Sequence, residues 1–392
     1  MPSLSGMASA AGVPAGAPPQ NSYQKLKEQY EDFTNPVAYL LFNGQSLDSS
    51  LLIGEVEVDL TSGFEASIAT IRIYNVFRPA EGKFDYKLIR RGVYLGASVS
   101  IQLGYASSME SVFQGFVAEV NFVYSQTGLP CVEVLAMDIK GLMMSGNYSQ
   151  QLKSKCYSDA VQEIFQRTTY TNLQSAQGFQ SFQVTPTPDK TTPRQASETI
   201  ELAGESDYEF VVKAAKRFNY EFFTENGVVY FRKAKSDSTV LINLAPGDGV
   251  THFRVGYSLT GLAGSVEARS IDAGTGKLIS AKAKLNRKIS MGSAAKGLVS
   301  QSSKVYVDPS ITSQMDAEAR AESLMEEMSY QLGSLECETI GLPVLLPGHF
   351  MQLEGLGSPA DNLFYITHVI HSFTQDDGYQ TTLTASAAEI KT

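Results

Sequence analysis

Residues 95–101 read LGASVSI and residues 347–353 read PGHFMQL. Each is a glycine followed by the period-two alternation of a strand. A longer apolar-rich strand comes next in both places, VFQGFVAEVNF (112–122) and LFYITHVIHSF (363–373), and each ends in Phe. A third strand follows each, CVEVLAM (131–137) and YQTTLTA (379–385), and upstream GEVEVD (54–59) is echoed by GSVEAR (264–269). The match is in pattern more than identity. Self-similarity of this kind is how repeat architectures announce themselves. It predicts a duplicated β-module, and two like modules per chain let three chains form a ring of six, which is an assembly task rather than catalysis.

Around these modules the 392 residues divide into four parts. Residues 1–34 read as a flexible N-terminal arm, low in complexity to residue 21 and capable of a short helix over 22–33, with Leu26, Tyr30 and Phe33 near one face. Residues 35–148 read as a first β-barrel, with strands at 38–42, 52–60, 67–74, 97–103, 112–123 and 131–138; Val99, Ile101 and Leu103 share one face. The 76–94 connection (VFRPAEGKFDYKLIRRGVY) exceeds the roughly 12 residues of an ordinary loop. Its Phe84, Tyr86, Arg90 and Arg91 are the candidate assembly residues.

Residues 149–240 read as a small α/β unit. Tyr157, Ala160, Val161, Ile164 and Phe165 recur at helical spacing. Ser206 and Glu209 form a capping-box signature ahead of a helix over 206–218. YEFFTENGVVYFRK (220–233) is a hairpin around Asn226-Gly227. Residues 241–392 read as a second barrel, with a hairpin at 263–282, a mobile stretch at 281–303 and a helix over 316–331 as an insertion. The fold class is therefore β-rich α+β.

Hydrophobic residues are 43% of the chain and charged residues 18%, enough for sizeable cores. Lys plus Arg is 31 against 41 for Asp plus Glu, a net charge of −10, and Arg90-Arg91 is the densest basic spot. Phosphate binding needs clustered positive charge, so sequence-specific nucleic-acid binding is not expected. An acidic wall instead lets anionic cargo slide without sticking. The three cysteines, Cys131, Cys156 and Cys337, are widely spaced with no CxxC, as in a chain made in a reducing compartment. No secretory signal or apolar membrane span is expected, so work outside the cell would follow lysis or incorporation in a particle.

The chemistry motifs point away from an enzyme. Asp272-Ala-Gly-Thr-Gly-Lys277 lacks the first glycine and the Ser/Thr of a phosphate loop, and reads as a turn. His368 and His371 sit three apart in an alternating strand and so face opposite ways, unsuited to a shared metal. No HExxH or GxSxG is present. No catalytic residue, metal or cofactor is expected.

Two stretches resemble one family: ASETIELAGESDYEFVVKAAKRFNYEFFTENGVVYFRKA (196–234) and LPVLLPGHFMQLEGLGSPADNLFYITHVIHSFTQDDGYQTTL (342–383). They are similar to the phage late control protein D and VgrG hub group of contractile tails, in order of elements over roughly 35–392. The resemblance implies two tube-like β-barrel domains flanking a small α/β domain, in a homotrimer with pseudo-sixfold symmetry. It implies a baseplate hub joining a central spike to a tail tube, with other baseplate proteins as partners and cargo passing through the channel. Assembly would take place in the bacterial cytoplasm and the product would be part of a virion or injection particle, without stable membrane insertion. VgrG continues into a spike; this chain stops at Thr392, so a separate spike protein is expected. Two alternatives stand beside this: a hub that also degrades cell wall through two convergent carboxylates in a cleft, or an unrelated β-barrel ligand-binding or adhesion protein whose 19 Tyr and 20 Phe line a glycan site.

Overall fold

A computed structural model describes residues 18–177, 181–190, 199–272, 274–285 and 293–391. The first module has β1 (Pro36–Phe42), β2 (Leu52–Thr61), β3 (Ile68–Tyr74), β4 (Ser98–Tyr105), β5 (Ser108–Val123) and β6 (Cys131–Met137). They pair antiparallel in the order β1-β4-β5-β6-β3-β2. The alternation read from sequence sets the faces: Val99, Ile101 and Leu103 on β4 are buried, as are Ile71 on β3 and Val132 and Val134 on β6.

The middle unit is built on α2 (Tyr157–Phe165), α3 (Asp207–Phe218) and the hairpin β7 (Tyr220–Glu225) and β8 (Val228–Lys233); α1 is the N-terminal helix Tyr23–Gln29. Ser206 Oγ accepts from the Glu209 amide at 3.1 Å while the Glu209 carboxylate accepts from the Ser206 amide at 2.7 Å, closing the predicted capping box. Asn226 and Gly227 both take positive φ, +47° and +78°, as the tight hairpin requires. Val161, Phe165, Phe210, Phe222 and Phe231 form a core separate from that of the modules.

The second module has β9 (Val240–Leu244), β10 (Val250–Tyr257), β14 (Gly333–Ile340), β15 (Phe350–Leu353), β16 (Asn362–Thr374) and β17 (Gly378–Ala387). Between β10 and β14 lie β11 (Ser265–Ile271), β12 (Leu278–Lys284) and β13 (Ser303–Val307), a three-stranded sheet on which α4 (Gln314–Ser329) packs. The second module pairs as β9-β15-β16-β17-β14-β10. In chain order this is the succession of the first module, with the insertion falling where the first module has only the 62–67 loop. One pair departs: β9 and β15 are parallel where β1 and β4 are antiparallel.

The duplication extends to single hydrogen bonds. Gly96 donates to the Val117 carbonyl at 2.8 Å and Val117 donates back to Ala97 at 2.9 Å; Gly348 donates to Ile366 at 3.0 Å and Ile366 to His349 at 2.8 Å. Both glycines have left-handed φ, +81° and +90°. The β5–β6 ladder bulges at Ala118 and the β16–β17 ladder at Thr367. The β2–β3 ladder bulges at Gly54 and the β10–β14 ladder at Thr251. Two sequence expectations are corrected by this. GSVEAR is β11, inside the insertion, so the counterpart of β2 is β10 (VTHFRVGY). The bulges also set Phe122 against His371, not Phe373.

The chain is β-rich with few helices, as expected. The two modules join in one sheet where two barrels were expected: β16 pairs on one edge with β17 and on the other with β2, from His368↔Thr61 to Thr374↔Glu55, making one thirteen-stranded sheet with a shared core. The expectation of a flexible arm over 1–34 is also corrected for its described part. Asn21 and Ser22 pair with β9, Ser22 caps α1, and Leu26 and Tyr30 are buried in the main core. Burial of Leu26 and Tyr30, the pairing with β9 and the Ser22 cap together offset the entropy of ordering the segment. Residues 1–17 of the arm lie outside the described residues, as do 286–292 of the stretch read as mobile and Ala273 of the Asp272–Gly276 turn.

The paired glycines give a first prediction. A Cβ on Gly96 meets nothing within 4 Å, whereas one on Gly348 comes within 2.6 Å of the Phe223 ring. Gly96→Ala is expected to lose about 1–2 kcal/mol from φ alone. Gly348→Ala adds about 1–3 kcal/mol of overpacking. Urea unfolding of the two variants measures the difference.

Candidate assembly surface

β5 works in two halves. Its N-terminal half pairs with β4 and its C-terminal half with β6. Beyond Val117 the edge that faced β4 meets no strand among the described residues. In the second module the equivalent edge of β16 is covered by β2. The consequence is visible in burial: Val369, His371 and Phe373 on β16 are enclosed, whereas Phe122 and Tyr124 are 47% and 63% exposed. A second edge is open at β10, which pairs with β14 alone among the described residues. Phe253, Val255 and Tyr257 alternate along its core-facing side and are half-buried.

The 75–97 connection folds beside the open end of β5. Phe84 packs edge-on against Phe122 at 5.2 Å, Tyr86 against the same ring at 6.0 Å, and Phe77 against Tyr124 at 5.4 Å. Asp85 holds the turn by pairing with Arg78 and accepting from the Lys87 amide; that Arg78 bond, ahead of the chain's other contributions, holds its carboxyl below the usual range. The structure thus brings Phe84 and Tyr86 to the open edge. Arg90 and Arg91 are exposed on the following turn, with no ion-pair partner among the described residues. Sequence reading found the connection but missed Phe122, Tyr124 and the β10 edge. Their signal is the alternation in VNFVY and HFRVGY, which any strand shares.

The face of the sheet opposite the core is acidic. Glu55, Glu57 and Asp59 on β2, Glu119 on β5, Glu133 on β6, and Glu336 and Glu338 on β14 point there, with Arg72 and Arg254 as the arginines. Arg72 is held between Glu55 at 2.5 Å and Glu133 at 3.1 Å. His368 meets Asp59 at 2.5 Å across the junction, and this hydrogen bond raises its pKa. His371 points the other way, buried between Tyr379, Thr381 and the Leu345 carbonyl, and burial pushes it down to about 4. Among the described residues no group of three or more His, Cys, Asp or Glu side chains is placed to hold a metal, and no helix is long and apolar enough to cross a membrane.

A buried charge cluster joins the middle unit to the second module. Arg232 on β8 meets Glu221 at 2.6 Å and Asp237 at 3.1 Å, and donates to the Gly348 carbonyl at 2.7 Å. Tyr365 donates to Glu221. His349 Nε2 lies 2.9 Å from Glu225, while Nδ1 sits 3.3 Å from Asp237 as an ion pair without hydrogen-bond geometry. Burial opposes the charged imidazole, but Asp237 and Glu225 overcome it and carry His349 up to about 9. A folded value above the unfolded one means that this stabilisation is complete below about pH 6.5 and is lost as pH rises through about 9. The wild-type chain is therefore expected to lose about 2–3 kcal/mol between pH 6.5 and 10 from this residue, and His349→Gln to lose that part of the slope. Denaturant midpoints across the pH series check it.

The chain shares its fold with solved tail proteins. It superposes on the tail protein from Neisseria meningitidis with a TM-score of 0.64 at 11% identity, covering 90% of this chain and 97% of that one. It superposes on the 43 kDa tail protein of prophage MuSo2 from Shewanella oneidensis with a TM-score of 0.65 at 14% identity, covering 90% and 99%. An E. coli type VI secretion component, described as similar to the T4 tail proteins gp27 and gp5, gives 0.55 at 14% identity over 90% and 78%. By sequence, the family model of the Alg8 N-terminal domain matches residues 37–375, and the chain belongs to that family. No curated protein matches the chain by sequence. The kinship with tail proteins is thus one of fold.

Proposed function

We propose that this chain is a structural baseplate hub of a phage tail or contractile injection system, a homotrimer that joins a separate spike protein to the tail tube. Three chains carrying two equivalent modules each present six modules, which adapts a threefold spike to a sixfold tube. The residue-level duplication of the strand ladders is the observation that carries the reading, and the shared fold of prophage tail proteins supports it. The two modules act as tube-like barrels completed on assembly, with the α/β unit and the α4 insertion outside them. The acidic face opposite the core lines the channel, where like-charge repulsion keeps anionic cargo from adhering. Phe84, Tyr86, Arg90 and Arg91 belong to the assembly surface. The chain does no chemistry: the buried Glu221 and the half-buried Glu225 and Asp237 are tied to Arg232 and His349 and serve as cement.

Co-purification tests this reading. Tagged chain is expected to retain the spike and tube proteins encoded with it, and to show no peptidoglycan-degrading activity on a zymogram. Recovery of neither partner, or clearing of the zymogram by the pure chain, would overturn it.

A further inference from the structure

The molecule already contains one copy of the joint its open edges call for. At the β16–β2 junction, Val369, His371 and Phe373 oppose Leu60, Val58 and Val56 on the core face, and all six are buried. β5 is the counterpart of β16 and β10 that of β2, by the bulges at Ala118 and Thr367 and at Gly54 and Thr251. The counterpart of the junction is therefore a β5–β10 pair. Among the described residues of one chain it does not form: both edges are unpaired there, at opposite ends of the connected sheet.

We propose that the free edge of β5 in one copy of this chain pairs antiparallel with the free edge of β10 in the next, in the register of the β16–β2 junction; this rests on the ring reading above. Carrying the register across sets Glu119 opposite Ser258, Val120 opposite Tyr257, Phe122 opposite Val255 and Tyr124 opposite Phe253. The core face of the joint is then apolar on both sides, as at the internal junction. Cross-strand aromatic and β-branched pairs of this kind stabilise sheets. An exposed edge with an apolar face is an association hazard unless a specific partner covers it. The second copy fits because each chain offers one edge of each kind, a head-to-tail contact that closes into a ring. The Phe77, Phe84 and Tyr86 rings hold Phe122 and Tyr124 in place from the free chain onward.

Cysteine pairing tests the register. In the full-length chain, Glu119→Cys with Ser258→Cys is oxidised by copper–phenanthroline, each disulfide forming from two thiols. Cys131, Cys156 and Cys337 are buried and free, and serve as the unmodified background. Most of the chain is expected to shift to covalent dimer and trimer on a non-reducing gel. Glu119→Cys with Arg254→Cys, four residues out of register, is expected to stay at the single-chain position. Trimers by light scattering whose cysteines link only in the Arg254 pairing, or in neither, would overturn the joint while leaving the ring. A chain that remains single at all concentrations, with no linkage, would overturn both.

Discussion

Arg232→Ala is expected to destabilise the chain by about 3–5 kcal/mol, the penalty for leaving a buried charge unpaired. Glu221 is 5% exposed and faces Arg232 directly across the β7–β8 hairpin. Without the guanidinium, the hydrogen-bond partners left to the Glu221 carboxylate among the described residues are the Tyr365 hydroxyl and the Lys235 amide. The Gly348 carbonyl also loses its donor, and that glycine opens β15, so the damage passes from the middle unit into the second module. Arg232→Lys keeps the charge but not the fork that reaches Glu221, Asp237 and Gly348 together, and is expected to fall between. Adding Glu221→Gln to Arg232→Ala removes the stranded charge and is expected to restore part of the loss. Urea unfolding of the series measures each step.

Asp138→Ala is expected to be of similar size. Asp138 Oδ2 accepts from the Ser67 amide at 3.1 Å and Oδ1 from the Lys140 amide at 2.9 Å, tying β3 to the start of the middle unit. The Lys140 ammonium, fully enclosed, lies 3.7 Å from Asp138 and donates to the carbonyls of Gly63 and Glu65. Removing the carboxylate strands that ammonium where burial already disfavours its charge. The expected loss is about 3–5 kcal/mol for the charge and about 1 kcal/mol for the N-cap that Asp138 supplies to the short helix Ile139–Met143. Asp138→Ala with Lys140→Met is expected to recover several kcal/mol, because the methionine leaves no charge to solvate. Recovery absent in denaturant titrations would mean that the cap, not the ion pair, holds this joint.

What the sequence displayed was local. The Ser206–Glu209 capping box and the Asn226-Gly227 turn depend on a few adjacent residues, and both formed as read. The Gly96 and Gly348 echo was legible because a left-handed residue before a strand selects glycine in both copies. The GSVEAR echo misled because period-two alternation is common to all strands; the true counterpart, β10, carries His252 and Arg254 on its polar side and lies upstream of the α4 insertion. The bulges at Ala118 and Thr367 shift the register in a way that alternation does not record. The open edges were invisible for a different reason. Whether Phe122 is enclosed like His371 depends on a strand supplied from elsewhere, and nothing in VAEVNF says whether one arrives. Only the folded pairing showed that β16 has such a strand and that β5 has none among the described residues.

Electron microscopy of the purified full-length chain tests the duplicated-module account most directly. Top views are expected to show a closed annulus of six similar densities built from three chains, open at the centre. Isolated single chains at every concentration, or open strings without closure, would contradict it.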